Sequence, residues 1–169
     1  KISEVMRRSA LPPQSHAGKA LMSALETYPR DELFQISEDQ LFEFASTIAS
    51  LGDRPRVRVL SRIDRFDNFV SILLFVPRDR YDSEVRARIG EYLARVYDGR
   101  VSAYYPSFPE GELVRVHFII GRNGGPTPRP RRDDVEDEVA ELTLTFGDRL
   151  RRATPDIGAV AGYFDAFSP

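Results

Sequence analysis

The chain has 169 residues, 41% of them apolar and 30% charged, with a formal charge of −2. That balance suits one globular domain with an appendage or a domain and a half, excludes a disordered chain, and argues against a general nucleic-acid binder, which carries a basic excess. With no cysteine and only two histidines, His16 and His117, disulfides, thiolate nucleophiles and multi-histidine metal sites are excluded, and no apolar run approaches the roughly 20 residues of a membrane helix. Pro12-Pro13 stops any preceding helix, and Ser15 is the predicted N-cap of a helix over 16–27. Ala17, Leu21, Ala24, Leu25 and Tyr28 form its apolar face, while Gly18 weakens its first turn. Pro29 opens a short helical turn over 29–34. Ser37-Glu38-Asp39-Gln40 is a capping-box pattern ahead of Leu41, Phe42, Ala45, Ile48 and Ala49, a helix that Gly52 closes.

From Arg56 the apolar period changes to two. A strand is predicted over 56–64, a turn over 64–68, and a second strand over 69–76 whose only polar residue is Ser71. Asp82 or Ser83 caps a helix to about residue 98, with Val85, Ile89, Leu93 and Val96 on one face and Gly99 as its C′ residue. Strands over 101–108 and 113–120 flank the Pro109-Glu110-Gly111 turn. Residues 121–130, rich in glycine and proline, form a loop, and the last helix covers 133–152, acidic at its start and arginine-rich at its end.

This order, strand, strand, helix, strand, strand, helix, constrains the topology. A right-handed crossover after 69–76 leaves a gap that the strand over 113–120 fills, antiparallel to both neighbours. The fold class is therefore α+β, a ferredoxin-like four-stranded antiparallel sheet with two helices on one face, preceded by a helical segment. The strand over 56–64 is outermost, followed by 69–76, 113–120 and 101–108. The expected organisation is a helical segment over 1–53, the α/β sandwich over 54–153, and a C-terminal linker or helix over 154–169. Both chain ends read as interrupted, which suggests a piece of a longer polypeptide.

Little here serves catalysis. Gly121-Arg122-Asn123-Gly124-Gly125-Pro126 lacks the dinucleotide fingerprint, and Pro126 and Pro128 prevent an immediate helix N-terminus. Lys19 reads as a solvated lysine, His16 as a packing or capping residue, and His117 as a partly buried strand histidine with no serine or acid partner placed by the sequence. The carboxylates at helix starts, Asp82, Glu84 and the 133–138 run, read as caps and solvated faces. Arginine supplies 22 of 24 basic residues, a preference that reads first as compositional. Tyr104, Tyr105 and Phe118 read as core and interface aromatics.

Two long strings carry a family signature. Leu11-Pro12-Pro13, Ser15-His16-Ala17-Gly18-Lys19-Ala20-Leu21 and Leu25-Glu26-Thr27-Tyr28-Pro29-Arg30-Asp31-Glu32-Leu33-Phe34-Gln35 make the first; Phe69-Val70-Ser71 with Phe75-Val76-Pro77-Arg78-Asp79-Arg80-Tyr81 makes the second. Over residues 11 to 122 the chain resembles the large bacterial NAD-specific glutamate dehydrogenases. The resemblance implies an ACT-like regulatory region of their N-terminal segment, which has the ferredoxin-like layout, in a cytoplasmic enzyme that oxidises L-glutamate to 2-oxoglutarate and ammonia. NAD belongs to the parent enzyme, and no catalytic, cofactor-binding or metal residue carries over to this stretch. The implied partners are other domains of the same chain, further copies in a homo-oligomer, and an amino-acid effector, with no nucleic acid and no membrane.

The candidate effector or interface loop is Arg78, Asp79, Arg80 and Tyr81, between the second strand and its helix. It lacks the glycine that lets an effector approach the backbone in ACT domains, so an interface role is the stronger expectation. The leading function is a non-catalytic regulatory or assembly module. A free-standing ACT-type amino-acid-binding protein and a nucleic-acid module on the same fold are the alternatives, and salt-sensitive binding would mark the last.

Overall fold

The computed structural model describes residues 1–144 and Asp148. Four helices come first: α1 (Ile2–Ser9), α2 (His16–Glu26), α3 (Arg30–Gln35) and α4 (Glu38–Ser50). Then follow β1 (Arg58–Ile63), β2 (Phe69–Pro77), a 3-10 turn (Arg78–Arg80), α5 (Ser83–Val96), β3 (Arg100–Ser107), β4 (Leu113–Gly121) and α6 (Arg132–Leu142).

Side-chain caps set three helix starts. Ser15 Oγ accepts from the Gly18 N–H at 3.0 Å, Ser37 Oγ from Gln40 at 3.2 Å, and an Asp82 carboxylate oxygen from Val85 at 2.8 Å. Gly18 is more than a weak point in its first turn, because a Cβ there would collide with the Pro12 carbonyl oxygen. The helix before β3 also ends differently from expectation. Asp98, at φ 52°, takes the left-handed position after the Tyr97 cap, so Gly99 is not the residue that reverses the helix. Gly99 is needed instead for close approach, since a Cβ would run into the Gly121 carbonyl oxygen.

The four strands form one antiparallel sheet in the order β1-β2-β4-β3, as the crossover argument requires. β1 fills the edge that the last strand of a β-α-β-β-α-β unit would occupy, so the layout is a permuted ferredoxin-like sheet. Under α5 and α6 lies one core, where Val70, Ile72, Leu74 and Val76 of β2 and Val114, Val116, Phe118 and Ile120 of β4 meet Ile89, Leu93 and Val139. A second core lies on the opposite face, where Leu60, Leu73 and Phe75 pack under Val5, Leu21, Leu25, Leu41 and Phe44 of the N-terminal helices. β2 is therefore covered on both faces, which explains its unbroken apolar run. The N-terminal helices do not cover the β3 side, where Tyr105 is 59% exposed.

The last helix is shorter than its charge pattern suggests. α6 ends at Leu142 with Thr143 as its cap, and residues 145–147 and 149–152 of the expected helix lie outside the described residues, as does the expected segment over 154–169. Glu136, in the acidic run, departs from a solvated face. It accepts from Arg58 Nη1 at 3.0 and 3.2 Å and from the Val59 N–H at 3.1 Å, tying α6 to β1.

Candidate functional site

The loop singled out by sequence is a turn with internal partners. Arg78 Nε donates to the Gly111 carbonyl at 3.2 Å, its Nη2 donates to the Pro109 carbonyl, and its N–H to Glu112 at 2.8 Å. The Arg78 side chain thus clasps the β3–β4 turn, with Tyr81 edge-on to Phe108 at 5.8 Å between ring centres. Arg80 pairs with Asp148 at 3.3 Å, while Asp79 is exposed. Asp82 is occupied as the α5 cap. The loop and the β3–β4 turn are thus tied to each other.

The opposite face of the sheet carries a polar cluster that the sequence did not assemble. Ser71 Oγ of β2 and His117 Nε2 of β4 lie 2.7 Å apart, both buried. His117 therefore has the serine partner that no local spacing placed. The signal available was Ser71 itself, the one polar residue in the longest apolar run. Burial lowers the His117 pKa below its ordinary value, only partly opposed by the charge of Glu32, so the ring is neutral at pH 7. Serine beside neutral histidine is the arrangement of an activated nucleophile. Here Ser71 is 2% exposed, so no substrate carbonyl reaches its oxygen, and the pair serves packing.

Beside it Arg62 of β1 grips Glu32 of α3 through Nε and Nη2, both at 2.8 Å, with Gln35 Oε1 at 3.2 Å from Nη2. Glu32 and Arg62 are buried at 3% and 6% exposure, so this bidentate pair is the polar anchor between the helical segment and the sheet. The hydrogen bond that Arg62 donates to Glu32 raises the Arg62 pKa, and burial, then Glu32, raises that of Tyr28. The arginine excess thus includes structural members. Arg122 is another: Nε donates to the Tyr97 carbonyl at 3.0 Å, and Nη1 to the Gly125 carbonyl and Thr127 Oγ1, both at 2.9 Å. Its side chain fills the glycine-rich loop. Thr127 in turn donates to Asp67, which holds the Asp67 carboxyl below the usual range.

Lys19 is exposed, and His16 Nε2 lies 3.3 Å from an exposed Asp53 oxygen at the surface. Among the described residues no group of three histidine or carboxylate side chains is placed to hold a metal ion, and no helix is long and apolar enough to cross a membrane.

A permuted ferredoxin-like sheet with two helices on one face is the layout of an ACT-type module. Residues 58–146 match the family model described as glutamate dehydrogenase, ACT2 domain, and residues 1–54 match the one described as glutamate dehydrogenase, helical motif 1. The chain belongs to this glutamate dehydrogenase ACT2 family. It is 36% identical over 157 residues to the NAD-specific glutamate dehydrogenase of Halomonas elongata, covering 91% of this chain and 10% of that protein. Identity is 39% over 152 residues with the Pseudomonas aeruginosa protein of the same name, 88% of this chain and 9% of the relative. With the Mycobacterium tuberculosis one it is 30% over 164 residues, 90% and 10%. The chain thus spans about a tenth of the length of these relatives.

Proposed function

We propose that the chain is a non-catalytic regulatory and assembly module of a cytoplasmic, homo-oligomeric NAD-dependent glutamate dehydrogenase. The parent enzyme converts L-glutamate, NAD and water to 2-oxoglutarate, ammonia and NADH. The supporting observation is that the family match runs through both the helices and the sheet yet covers only about a tenth of each relative. Cofactor and substrate chemistry then belong to the remaining length.

In this reading the loop Arg78, Asp79, Arg80 and Tyr81 contacts another domain of the parent chain. Arg78 and Arg80 hold the loop in shape through Pro109, Gly111 and Asp148, which leaves exposed Asp79 as the charge offered outward. An amino-acid effector at this loop is less favoured, since no glycine opens the backbone there. The test uses the full-length parent enzyme with and without Asp79→Arg. The parent should form NADH from L-glutamate and NAD, and charge reversal at Asp79 should change its oligomeric state or its glutamate dependence. A parent that forms no NADH overturns the reading, and a variant with unchanged assembly and kinetics removes the loop from it.

A further inference from the structure

The part of the second sheet face that the N-terminal helices leave open is a trough of about 510 Å³. Its floor is Arg115, His117 and Ile119 of β4; α3 contributes Arg30 and Asp31 along one wall; Tyr105 of edge strand β3 forms the rim. We propose that this trough binds a small monocarboxylate with an apolar or aromatic body, held by the Arg115 guanidinium.

The bonding of Arg115 carries the inference. Its Nη1 donates to the Thr27 carbonyl at 2.5 Å, but its Nε is buried without any hydrogen-bond partner. No carboxylate among the described residues pairs with it. The sheet's other poorly exposed arginines have one: Arg58, whose Nε is likewise unpartnered, faces Glu136, and Arg62 faces Glu32. A half-buried guanidinium without an anion carries a desolvation cost, and burial accordingly lowers the Arg115 pKa. With Nη1 committed to Thr27, the Nε–Nη2 edge remains, which is the edge Arg62 uses to grip the Glu32 carboxylate in the same sheet. In this proposal that edge takes the ligand carboxylate. Such a planar bidentate contact suits a carboxylate.

Charge and shape select the rest of the ligand. Glu32 is neutralised by Arg62, and His117 is uncharged, so the remaining charges on the trough are Arg30, Arg115 and Asp31, an excess of one positive charge. That excess balances one carboxylate. The ring of Tyr105, 5.9 Å from that of His117, and the Ile119 side chain offer apolar surface to its body. The site lies on the sheet face opposite α5, and it depends on the Arg115 geometry, not on which enzyme carries the module.

The test is a backbone-amide NMR titration of the 169-residue chain with benzoate and butyrate, with benzamide as the uncharged control and ionic strength held constant with chloride. Benzoate should give saturable shifts at Glu32, Tyr105, Arg115 and His117, and benzamide should give none. Arg115→Gln should weaken benzoate binding about tenfold or more, as the loss of a charge-assisted hydrogen bond does. Arg115→Lys should retain part of the affinity. Tyr105→Ala, an exposed change that the fold tolerates, should weaken benzoate and butyrate unequally, benzoate more. Shifts that fail to saturate at millimolar carboxylate, equal shifts with benzamide, or benzoate binding unaltered in both Arg115→Lys and Tyr105→Ala would overturn the proposal.

Discussion

At the scale of single residues, buried charge decides more than helix capping does. Arg62 donates two hydrogen bonds to Glu32 in a site almost closed to water. Glu32→Gln keeps the shape but leaves the guanidinium buried beside a neutral amide, a change expected to cost about 3–5 kcal/mol. Urea unfolding should show it as a lower midpoint with an unchanged slope. His117 makes a pH prediction. Its folded pKa lies below 6.5, the ordinary value that the unfolded chain regains. The unfolded state therefore binds the extra proton first as pH falls. Stability from this group is complete above about pH 6.5 and is lost as pH drops from there toward the folded pKa. The thermal midpoint should fall between pH 7 and the onset of carboxylate titration, and His117→Gln should flatten that part of the profile.

Elements are held by local chemistry, with one close approach that overrides propensity. Within α2, Gly18→Ala would gain about 1 kcal/mol of intrinsic helix preference. The new Cβ, however, meets the Pro12 carbonyl oxygen, which already accepts from the Ser15 N–H at 3.0 Å and Ser15 Oγ at 2.6 Å. Backbone must move and the cap with it, a distortion costing about 1–3 kcal/mol. The net effect is a loss of stability, measurable as a lower thermal midpoint; a more stable Gly18→Ala protein would show that the 12–18 turn yields freely. The charge pattern of α6 illustrates a different balance. Its acidic first turn, Asp133 and Asp134, agrees with the helix dipole, but Glu136 turns inward because Arg58 and the Val59 N–H on the edge strand need an acceptor.

For the molecule as a whole, the N-terminal helices and the sheet share a core. Leu60, Leu73 and Phe75 are buried beneath the helices. At about 1.5–3 kcal/mol for each large apolar side chain, exposing all three forfeits an amount comparable with the 5–15 kcal/mol stability of a typical domain. Removal of the helices also strands Arg62 without Glu32. A chain covering residues 55–144 alone should therefore lack a dispersed amide spectrum and bind a hydrophobic dye, whereas the 169-residue chain should do neither. A well-dispersed spectrum from residues 55–144 would show that the sheet stands without its second core.

What the sequence determined by itself is what neighbours along the chain control. Ser15, Ser37 and Asp82 cap helices because a side chain reaches a backbone N–H three residues on, and the shift of apolar period near Arg56 marks the change to strands. Crossover handedness, a general property of twisted strands, then allowed only one order for the four strands. Where two conformations compete within one turn, local reading was weaker: the left-handed residue is Asp98, because Gly99 is required against Gly121. Tertiary structure alone decided that the helical segment covers the sheet's second face, that Ser71 finds His117 across 46 residues, and that Arg62 finds Glu32 across 30. It also left Arg115 without an anion. These outcomes depend on strand register and on which face each side chain occupies, since a one-residue slip would turn Arg62, Ser71, Arg115 or His117 to the other side of the sheet.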